Sequence, residues 1–231
     1  MKKALRHAIK ITLPIFLGYV PLGIAFGLML QNAGYNVLWA LISSVSIYSG
    51  TGQFVEVSFL DMRTAIYEVA LIAIILNSRM MFYGLSFLER FAAAGKRKWY
   101  LIFALTDETY ALLCAVKKPE DVKDGDFMLA VSMLNQSYWV LGGVIGVLAG
   151  TLIGVDTKGV DFIMTALFVV LAMDQWKAYA SHLPAIIGLV SGLSMLALFG
   201  PENFLIPALV LITLLLIIFR RRIEGKAAAD E

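Results

Sequence analysis

The sequence is poor in cysteine, histidine and charged residues. Cys114 is its single cysteine and it has two histidines, so an internal disulfide and a cysteine-rich metal site are excluded. Charged residues make up 16% of the 231 residues, whereas soluble domains have about 25%. Because so few charges cannot cover a water-facing surface, the composition excludes an ordinary soluble domain and indicates a protein of the lipid bilayer.

Motifs of soluble chemistry are also missing. The sequence has no phosphate-binding loop of the Walker A type, no nucleophile elbow and no H-E-x-x-H pair, which are the patterns of common ATP-dependent and hydrolytic sites. It has no block of basic residues suited to nucleic acid. These absences predict that the protein is not an enzyme, needs no cofactor and binds no nucleic acid.

What the sequence does contain is a series of long apolar runs. A helix needs about 20 residues to cross about 30 Å of hydrocarbon. The runs cover residues 11–30, 37–60, 65–88, 99–116, 127–153, 159–180, 184–199 and 203–219. They predict an all-α integral membrane protein, a polytopic helical bundle in which residues 1–231 form a single membrane domain. The last two runs are separated by Gly200-Pro201, which predicts a tight helical hairpin.

The basic residues predict an orientation and leave two topologies open. Short cytoplasmic loops are rich in Lys and Arg, so the basic N-terminus and the basic C-terminal tail at 220–222 are both expected in the cytoplasm. Eight full crossings would place the basic cluster at 90–98 outside. Six crossings, with runs two and six turning back inside the membrane, would place that cluster inside and the lysines at 117–123 outside.

Run two contains a segment that is unsuited to a helix interior. Gly50, Thr51, Gly52 and Gln53 lie near its middle, and two glycines among polar side chains weaken a helix. Lipid offers no partner to backbone groups that are freed there. A broken or re-entrant helix is therefore predicted, and run six has a polar insert of its own at 174–177.

The two halves of the chain resemble each other. The pair Gly23 and Gly27 in run one has the same spacing as Gly142 and Gly146 in run five. This predicts two related halves, 11–117 and 127–219, with broken or re-entrant second helices, as in many secondary transporters. Six crossings would make the repeat inverted. The alternative is that these glycines only allow close packing between helices.

Ionisable residues inside the apolar runs are candidates for function, since a charge at the centre of a membrane helix costs about 2.5–3.5 kcal/mol. Arg79 lies in run three close to Asn77, Asp107 and Glu108 lie in run four, and Glu56 lies in run two. Two interpretations are open. Either Arg79 binds a substrate carboxylate while Asp107 or Glu108 carries a proton, or Arg79 pairs with Asp107 to hold two helices together.

Run five has a polar face. Asn135, Trp139, Gly142 and Gly146 share one side of a helix by their spacing, next to Gln136. An amide, an indole and bare backbone suit a small polar solute. Alternatively, Trp139 is an anchor at the membrane interface, and both interpretations stay open.

The order of these motifs resembles the AzlC family. The matching segments are Pro21 to Gly27, Ser49 to Gln53, Asn77 to Arg79, Leu105 to Glu108, and Asn135-Gln136 with Trp139, within about residues 10–220. Members of that family are large subunits of bacterial exporters for branched-chain amino acids, and they work with a small AzlD-type membrane partner. Around Gly50 this sequence has Ser49 and Thr51, where the family more often has alanine. This departure from the family pattern concerns the fine substrate preference.

The resemblance implies a secondary active exporter of branched-chain, hydrophobic L-amino acids in a bacterial inner membrane, coupled to protons. A helix N-terminus would hold the carboxylate of such a zwitterion and an acidic side chain its ammonium. The substrate-binding candidates are Gly50, Thr51, Gly52, Gln53, Asn77, Arg79, Asn135, Gln136, Trp139 and Gln175, and the ion-coupling candidates are Asp107, Glu108, Glu56 and Asp174. The alternatives are a transporter of the same fold for another small solute, and a membrane assembly or regulatory subunit that transports nothing.

Overall fold

The computed structural model describes residues 2–62, 65–153, 169, 172–173, 176 and 182–227, and the regular elements in these ranges are all helices. The chain divides into two compact units, Met1–Asp161 and Phe162–Glu231. Three described helices are long and apolar enough to cross a membrane: Lys2–Asn32, Asp124–Leu152 and Leu183–Gly200. This confirms the predicted all-helical class and fits a polytopic membrane bundle.

The described part of the first unit has eight α-helices. They are α1 (Lys2–Asn32), α2 (Val37–Ser46), α3 (Gly50–Met62), α4 (Ile66–Ser86), α5 (Leu88–Ala93), α6 (Lys98–Phe103), α7 (Asp107–Ala115) and α8 (Asp124–Ile153), with a turn of 3-10 helix at Gly95–Arg97. The described part of the second unit has two long helices, α9 (Leu183–Asn203) and α10 (Leu205–Ala227).

α1 and α8 form the scaffold of the first unit and pack through their glycines. A Cβ atom on Gly23 would lie 2.9 Å from the Trp139 carbonyl oxygen, and one on Gly27 would lie 2.9 Å from the Gly146 Cα. Such an approach leaves no room for a side chain. Because the contacts advance along both helices together, α1 and α8 run in the same direction. The interpretation of these glycines as packing residues is confirmed.

This contact bears on the predicted repeat. The two glycine pairs that looked like counterparts in separate halves are partners in one contact. Helices related by an inverted repeat would run antiparallel, so the parallel course of α1 and α8 does not support an inverted relation between them. The halves 11–117 and 127–219 stay a sequence-based prediction.

α2 and α3 form a broken hairpin, the first hairpin, instead of one continuous helix. α2 ends at Ser46 and α3 begins at Gly50, and Tyr48 between them has a φ of 42°, which is rare for a bulky side chain. The Ser43 hydroxyl donates to a Glu56 carboxylate oxygen at 2.5 Å, whereas a straight helix would separate these residues by about 20 Å. The predicted break in run two is confirmed, and the chain turns back at Tyr48.

α6 and α7 form a second hairpin in a region where one uninterrupted helix was predicted. α6 ends at Phe103 and α7 begins at Asp107. Thr106 is extended and caps α7, since its hydroxyl oxygen accepts a hydrogen bond from the Thr109 N–H at 3.3 Å. A threonine cap starts a new helix without glycine or proline. The prediction that run four crosses the membrane as a single helix is wrong for this reason.

Ion pairs bring both ends of the second hairpin to the N-terminus of α8. Arg90 of α5 donates to the two carboxylate oxygens of Asp124 at 2.8 and 3.0 Å, and to the Leu113 carbonyl oxygen at 3.2 Å. Arg97 pairs with Asp126. Since Leu113 lies near the end of the hairpin and Arg97 just before its beginning, the hairpin enters and leaves at the same end of the unit.

The N-terminus of α1 and the α7–α8 loop lie at that end too, which we call the basic end. Lys3 donates to Asp121 at 3.1 Å, and this hydrogen bond lowers the pKa of Asp121. The lysines at 117–123 and the basic cluster at 90–98 therefore share one end of the unit. Both predicted topologies place them on opposite sides of the membrane, whereas the structure brings them to one end of the unit because the second hairpin turns back on itself.

An apolar core fixes the basic end. It contains buried residues from five helices, among them Ala4 and Ala8 of α1, Phe91 of α5, Leu101 of α6, Leu113 of α7 and Phe127 of α8. Both arms of the second hairpin are therefore packed into the core, while its turn lies farther from the basic end.

In the second unit, α9 and α10 pack against each other. The helical course is interrupted at Gly200, which has a φ of 73°, and the predicted tight hairpin at this glycine is confirmed. Earlier in the unit, the rings of Trp176 and His182 stack with centroids 4.0 Å apart. Asp174 and Gln175 lie outside the described residues, so their roles stay predictions.

Candidate functional site

The turns of the two hairpins meet beside α1 and α8. The Tyr48 ring of the first hairpin lies 6.3 Å from the Phe103 ring of the second, between centroids. Tyr19 of α1 reaches the second turn, with its hydroxyl 2.8 Å from Thr106 Oγ1. We call the polar residues around these contacts the tip cluster: Tyr19, Ser43, Ser44, Tyr48, Gln53, Thr106, Thr109, Asn135 and Trp139, all buried, with Glu108 at the edge.

Gln53 fastens the first hairpin to α8. Its Oε1 accepts a hydrogen bond from the Trp139 indole N–H at 2.7 Å, and its Nε2 donates to the Ser43 and Ser44 hydroxyls at 2.9 and 3.3 Å. A Cβ on Gly50 would lie 3.5 Å from the indole ring. Three predicted site residues, Gly50, Gln53 and Trp139, are therefore in contact. A Trp139 residue that is 3% exposed does not fit an anchor at the membrane interface.

α4 contacts the first hairpin at its turn. The Ser49 hydroxyl donates to Asn77 Oδ1 at 2.7 Å, and the Asn77 amide donates to the Ala73 carbonyl at 2.8 Å. Gly52 packs on Ser49, whose Oγ lies 2.7 Å from the position of a Cβ on that glycine, and Thr51 is half-buried in the first turn of α3. Asn77 therefore holds the turn of the first hairpin through its bond from Ser49.

A chain of hydrogen bonds connects α1, α7 and α8. Tyr19 donates to Glu108 Oε2 at 2.6 Å and lies 2.8 Å from Thr106 Oγ1. Thr106 Oγ1 lies 3.0 Å from Thr109 Oγ1, which accepts from the Asn135 amide at 2.9 Å. Glu108 is exposed and Asn135 is fully buried. The chain leads from an accessible carboxylate to a buried amide.

The other candidate charges occupy different places. Asp107 is half-buried at the start of α7, directly before Glu108. Glu56 is half-buried on α3 and belongs to the first hairpin through its bond from Ser43. The side chain of Arg79 lies outside the described part of α4, so substrate binding by Arg79 and its pairing with Asp107 both stay predictions.

Gln136 lies on another side of α8 from Asn135. Its Oε1 accepts from the Tyr100 hydroxyl at 2.7 Å, and its Nε2 donates to the Ser44 and Val45 carbonyls at 3.4 and 3.3 Å. These bonds tie α2 and α6 to α8 along a groove of about 710 Å³ that is mainly apolar. The structure therefore separates two adjacent candidates: Asn135 is in the tip cluster, and Gln136 is beside the groove.

Six members of the tip cluster were not among the predicted site residues: Tyr19, Ser43, Ser44, Tyr48, Thr106 and Thr109. Tyrosine is usual at membrane interfaces, so a tyrosine in the middle of a span, as Tyr19 is, was an available signal. Thr106 is followed by two acidic residues, which is the pattern of a helix start. Read as a cap, it would have shown the break in run four.

The chemistry of the site is that of hydrogen bonding. The described residues contain no group of three or more His, Cys, Asp or Glu side chains that could hold a metal ion. The N–H groups of residues 50–52 in the first turn of α3 have no partner within their helix and lie at the positive end of its dipole, where they can bind an anionic group. The Gln53 N–H already donates to the Ser49 carbonyl oxygen at 2.7 Å. A carboxylate at the second turn can bind a cationic group. The arrangement can hold a small polar solute.

Long helices packed in parallel, with two discontinuous hairpins whose turns meet at buried polar groups, fit a polytopic helical membrane protein. The chain belongs to the AzlC family, whose model, described as AzlC protein, matches residues 14–153. The resemblance found in the sequence is confirmed. That range contains every residue of the tip cluster, so the site lies in the part of the chain that defines the family.

Relatives match over most of the chain. An uncharacterized membrane protein of Helicobacter pylori (strain J99) is 42% identical over 222 residues, which are 96% of this chain and 97% of the relative. The branched-chain amino acid transport protein AzlC of Bacillus subtilis (strain 168) is 37% identical over 96% of this chain and 87% of its own length. Inner membrane protein YgaZ of Escherichia coli (strain K12) is 28% identical over 82% and 81%. No solved structure matches the chain.

Proposed function

We propose that this protein is a secondary active transporter that exports branched-chain, hydrophobic L-amino acids across a bacterial inner membrane and is coupled to protons. The B. subtilis relative is named for branched-chain amino acid transport, and the E. coli relative is named as an inner membrane protein. The observation that carries the proposal is the meeting of two hairpin turns at a buried polar cluster. Polar groups at such a depth are costly in a membrane and mark solute pathways.

The ends of two helices supply the groups that a zwitterion needs. The first-turn N–H groups of α3, at residues 50–52, would bind the carboxylate, and the glycines there leave the backbone accessible. The buried Asn135 beside the second turn would supply an acceptor for the ammonium, and the negative charge of Glu108 or Asp107 lies near it. The buried rings of Phe26 and Phe54, next to Trp139, offer an apolar wall to the aliphatic side chain.

The two hairpins suit alternating access to this site. The first hairpin starts from the end of the unit where α1 finishes, and the second starts from the basic end. Their turns approach the same cluster from opposite directions. Displacement of one turn would open the cluster toward one side of the membrane while the other stays closed, as in transporters with broken helices.

We assign the basic end to the cytoplasm. It holds the basic residues at 2–10, 90–98 and 117–123, whereas the α1–α2 connection at 33–36 has no Lys or Arg. Cytoplasmic loops have an excess of these residues. The second hairpin then opens to the cytoplasm and the first to the outside. A small AzlD-type membrane subunit, which the family resemblance implies, is the proposed partner, with this chain as the large subunit.

Export is tested by loading cells with dipeptides. A host without its own branched-chain exporters is given dipeptides containing valine, leucine or isoleucine, with and without this chain and a candidate small subunit. Expression should lower the intracellular level of these amino acids and raise the external level. Equal efflux with and without the chain for all three amino acids would refute export of branched-chain amino acids.

The same assay separates the alternatives. A panel of labelled solutes in proteoliposomes identifies another substrate if one is transported in place of the branched-chain amino acids. If no solute is transported, and efflux from cells is unchanged when Gln53 and Asn77 are substituted, the result would favour an assembly or regulatory subunit.

A further inference from the structure

The hydrogen-bond chain between Glu108 and Asn135 has a direction. Each hydroxyl has one proton to donate. An ionised Glu108 can only accept, and Tyr19 donates to it. Thr106 must then donate to Tyr19, and Thr109 must donate to Thr106. The Thr109 oxygen is left to accept, and it accepts from the amide N–H of Asn135. The ionised carboxylate of Glu108 therefore determines which group donates in each hydrogen bond of the chain.

The other end of the chain is a buried acceptor. Asn135 is 0% exposed, and its Oδ1 accepts no hydrogen bond from the part of the chain that the structure describes. A buried carbonyl oxygen without a donor costs about 1–3 kcal/mol, and a bound solute with N–H groups would remove that cost. Because the Asn135 nitrogen is used on Thr109, the amide offers its oxygen to such a solute.

We propose that Tyr19, Thr106 and Thr109 are positioning residues that transmit the protonation state of Glu108 to Asn135, whose oxygen binds the ammonium group of the transported amino acid while Glu108 is ionised. This inference rests on the proposed function, since it concerns the same site. It adds what the site does when a proton binds.

Protonation reverses the chain. When Glu108 takes a proton from water, its new O–H can donate to Tyr19, and the hydroxyls of Tyr19, Thr106 and Thr109 rotate in turn. Thr109 then donates to the amide oxygen of Asn135, so the amide turns over and offers its N–H to the solute. No O–H bond within the chain breaks. A donor in place of an acceptor disfavours an ammonium group, so the proton and the amino acid exclude each other.

Mutual exclusion is what proton–amino acid exchange requires. Binding coupling is reciprocal, so a proton on Glu108 weakens amino acid binding by the same factor as the amino acid weakens proton binding. A proton that arrives from outside would therefore favour release of the amino acid outside.

Two tyrosines face Glu108, and neither changes its protonation at neutral pH. Tyr19 faces it from α1, and Tyr48 of the first hairpin lies close enough to interact with it electrostatically. Tyrosines have an ordinary pKa of about 10 and keep their protons at neutral pH. Asp107 precedes Glu108 on α7 and has contacts of its own. The side chain of Arg79 on α4 lies outside the described residues.

The test is the pH dependence of leucine binding to the purified chain. In the wild type the affinity should rise by about tenfold from pH ~3 to pH ~7, a window that spans the usual titration range of a carboxyl group, and this change corresponds to one hydrogen bond to a charged group. Thr109→Val and Tyr19→Phe interrupt the chain but keep Glu108 and Asn135, so the change should fall below about twofold. Thr109→Ser should restore the wild-type pH dependence.

A matched control lies on the same helix pair. Thr12 is fully buried on α1, and its hydroxyl bonds to the Ala8 carbonyl and the Tyr138 hydroxyl, outside the chain. Thr12→Val should keep the wild-type pH dependence. The inference is overturned if Thr109→Val and Tyr19→Phe keep it as well while Glu108→Gln loses it, since Glu108 would then act on the amino acid directly.

A second measurement separates this inference from the proposed function. Infrared difference spectra between the two pH values, with isotope-labelled asparagine and Asn135→Ala for assignment, report the Asn135 amide without added amino acid. The amide band should shift with pH in the wild type and in Thr12→Val, and stay unchanged in Thr109→Val. If leucine does not bind, the proposed function fails. If the wild-type band does not shift, the proposed transmission from Glu108 to Asn135 is wrong, whatever the substrate is.

Discussion

At the scale of single residues, Gln53 connects the first hairpin to the rest of the tip cluster. Both ends of its amide are used, the oxygen on Trp139 and the nitrogen on two serine hydroxyls of α2. Its side chain is fully buried, so water cannot replace any of these partners. The position of the hairpin turn therefore depends on this amide as well as on the bond from Ser49 to Asn77.

Gln53→Leu should destabilise the protein strongly. Leucine has a similar size but leaves the Trp139 N–H and the Ser44 hydroxyl without their partner, and each buried unsatisfied group costs about 1–3 kcal/mol. The melting temperature in detergent, followed by circular dichroism, should fall. Trp139→Phe should cost less, and the double variant should cost less than the two single losses together. Additive losses would contradict a shared hydrogen bond.

Glu108 and Asp107 are adjacent but differently placed, and their roles should separate. Glu108 is exposed and bonded to Tyr19, whereas Asp107 is half-buried at the start of α7. In proteoliposomes, Glu108→Gln should allow exchange of saturating labelled leucine but lose its acceleration by a pH gradient. Asp107→Asn should keep that acceleration. The reverse pattern would assign the proton to Asp107.

At the scale of elements, the close contact between α1 and α8 depends on the glycines of both helices. Gly27 should not tolerate a methyl group, since a Cβ there would lie 2.8 Å from the Val147 backbone nitrogen. Gly27→Ala should lower stability by about 1–3 kcal/mol through overpacking. A Cβ on Gly18, in the same helix, would meet no other atom within 4 Å, so Gly18→Ala should be neutral or stabilising. Equal thermal stability of the two variants would argue against a tight contact.

The two hairpins also show what a sequence pattern can and cannot predict. The break in run two was predictable because Gly50 and Gly52 are visibly poor helix residues. The break in run four has no glycine or proline, and it depends on the cap at Thr106 and on the contact with Tyr19. Hydrogen bonds between elements far apart in sequence, such as Gln53 to Trp139, have no local signature. The types of the candidate residues could therefore be recognised in the sequence, whereas their hydrogen-bond partners could be identified only from the fold.

At the scale of the whole molecule, the shared basic end makes a prediction about topology. In a Cys114→Ala background, Lys96→Cys and Lys117→Cys should both be shielded from a membrane-impermeant maleimide in intact cells and react after the membrane is opened. Ala33→Cys, in the connection after α1, should react in intact cells. Both predicted crossing counts put residues 96 and 117 on opposite sides, so labelling of one and not the other would contradict the fold-back of the second hairpin.

The parallel contact between α1 and α8 has a consequence for biosynthesis. Gly23 and Gly142 are about 120 residues apart in the chain, and a ribosome that adds about 5–20 residues per second needs about 6–24 s to pass from one to the other. During this time α1 is already inserted while its glycine face has no partner, and both hairpins are made before the helix that receives them. The fold of the first unit is therefore completed by α8, and a nascent chain that stops before α8 contains both hairpins but lacks the helix against which they pack.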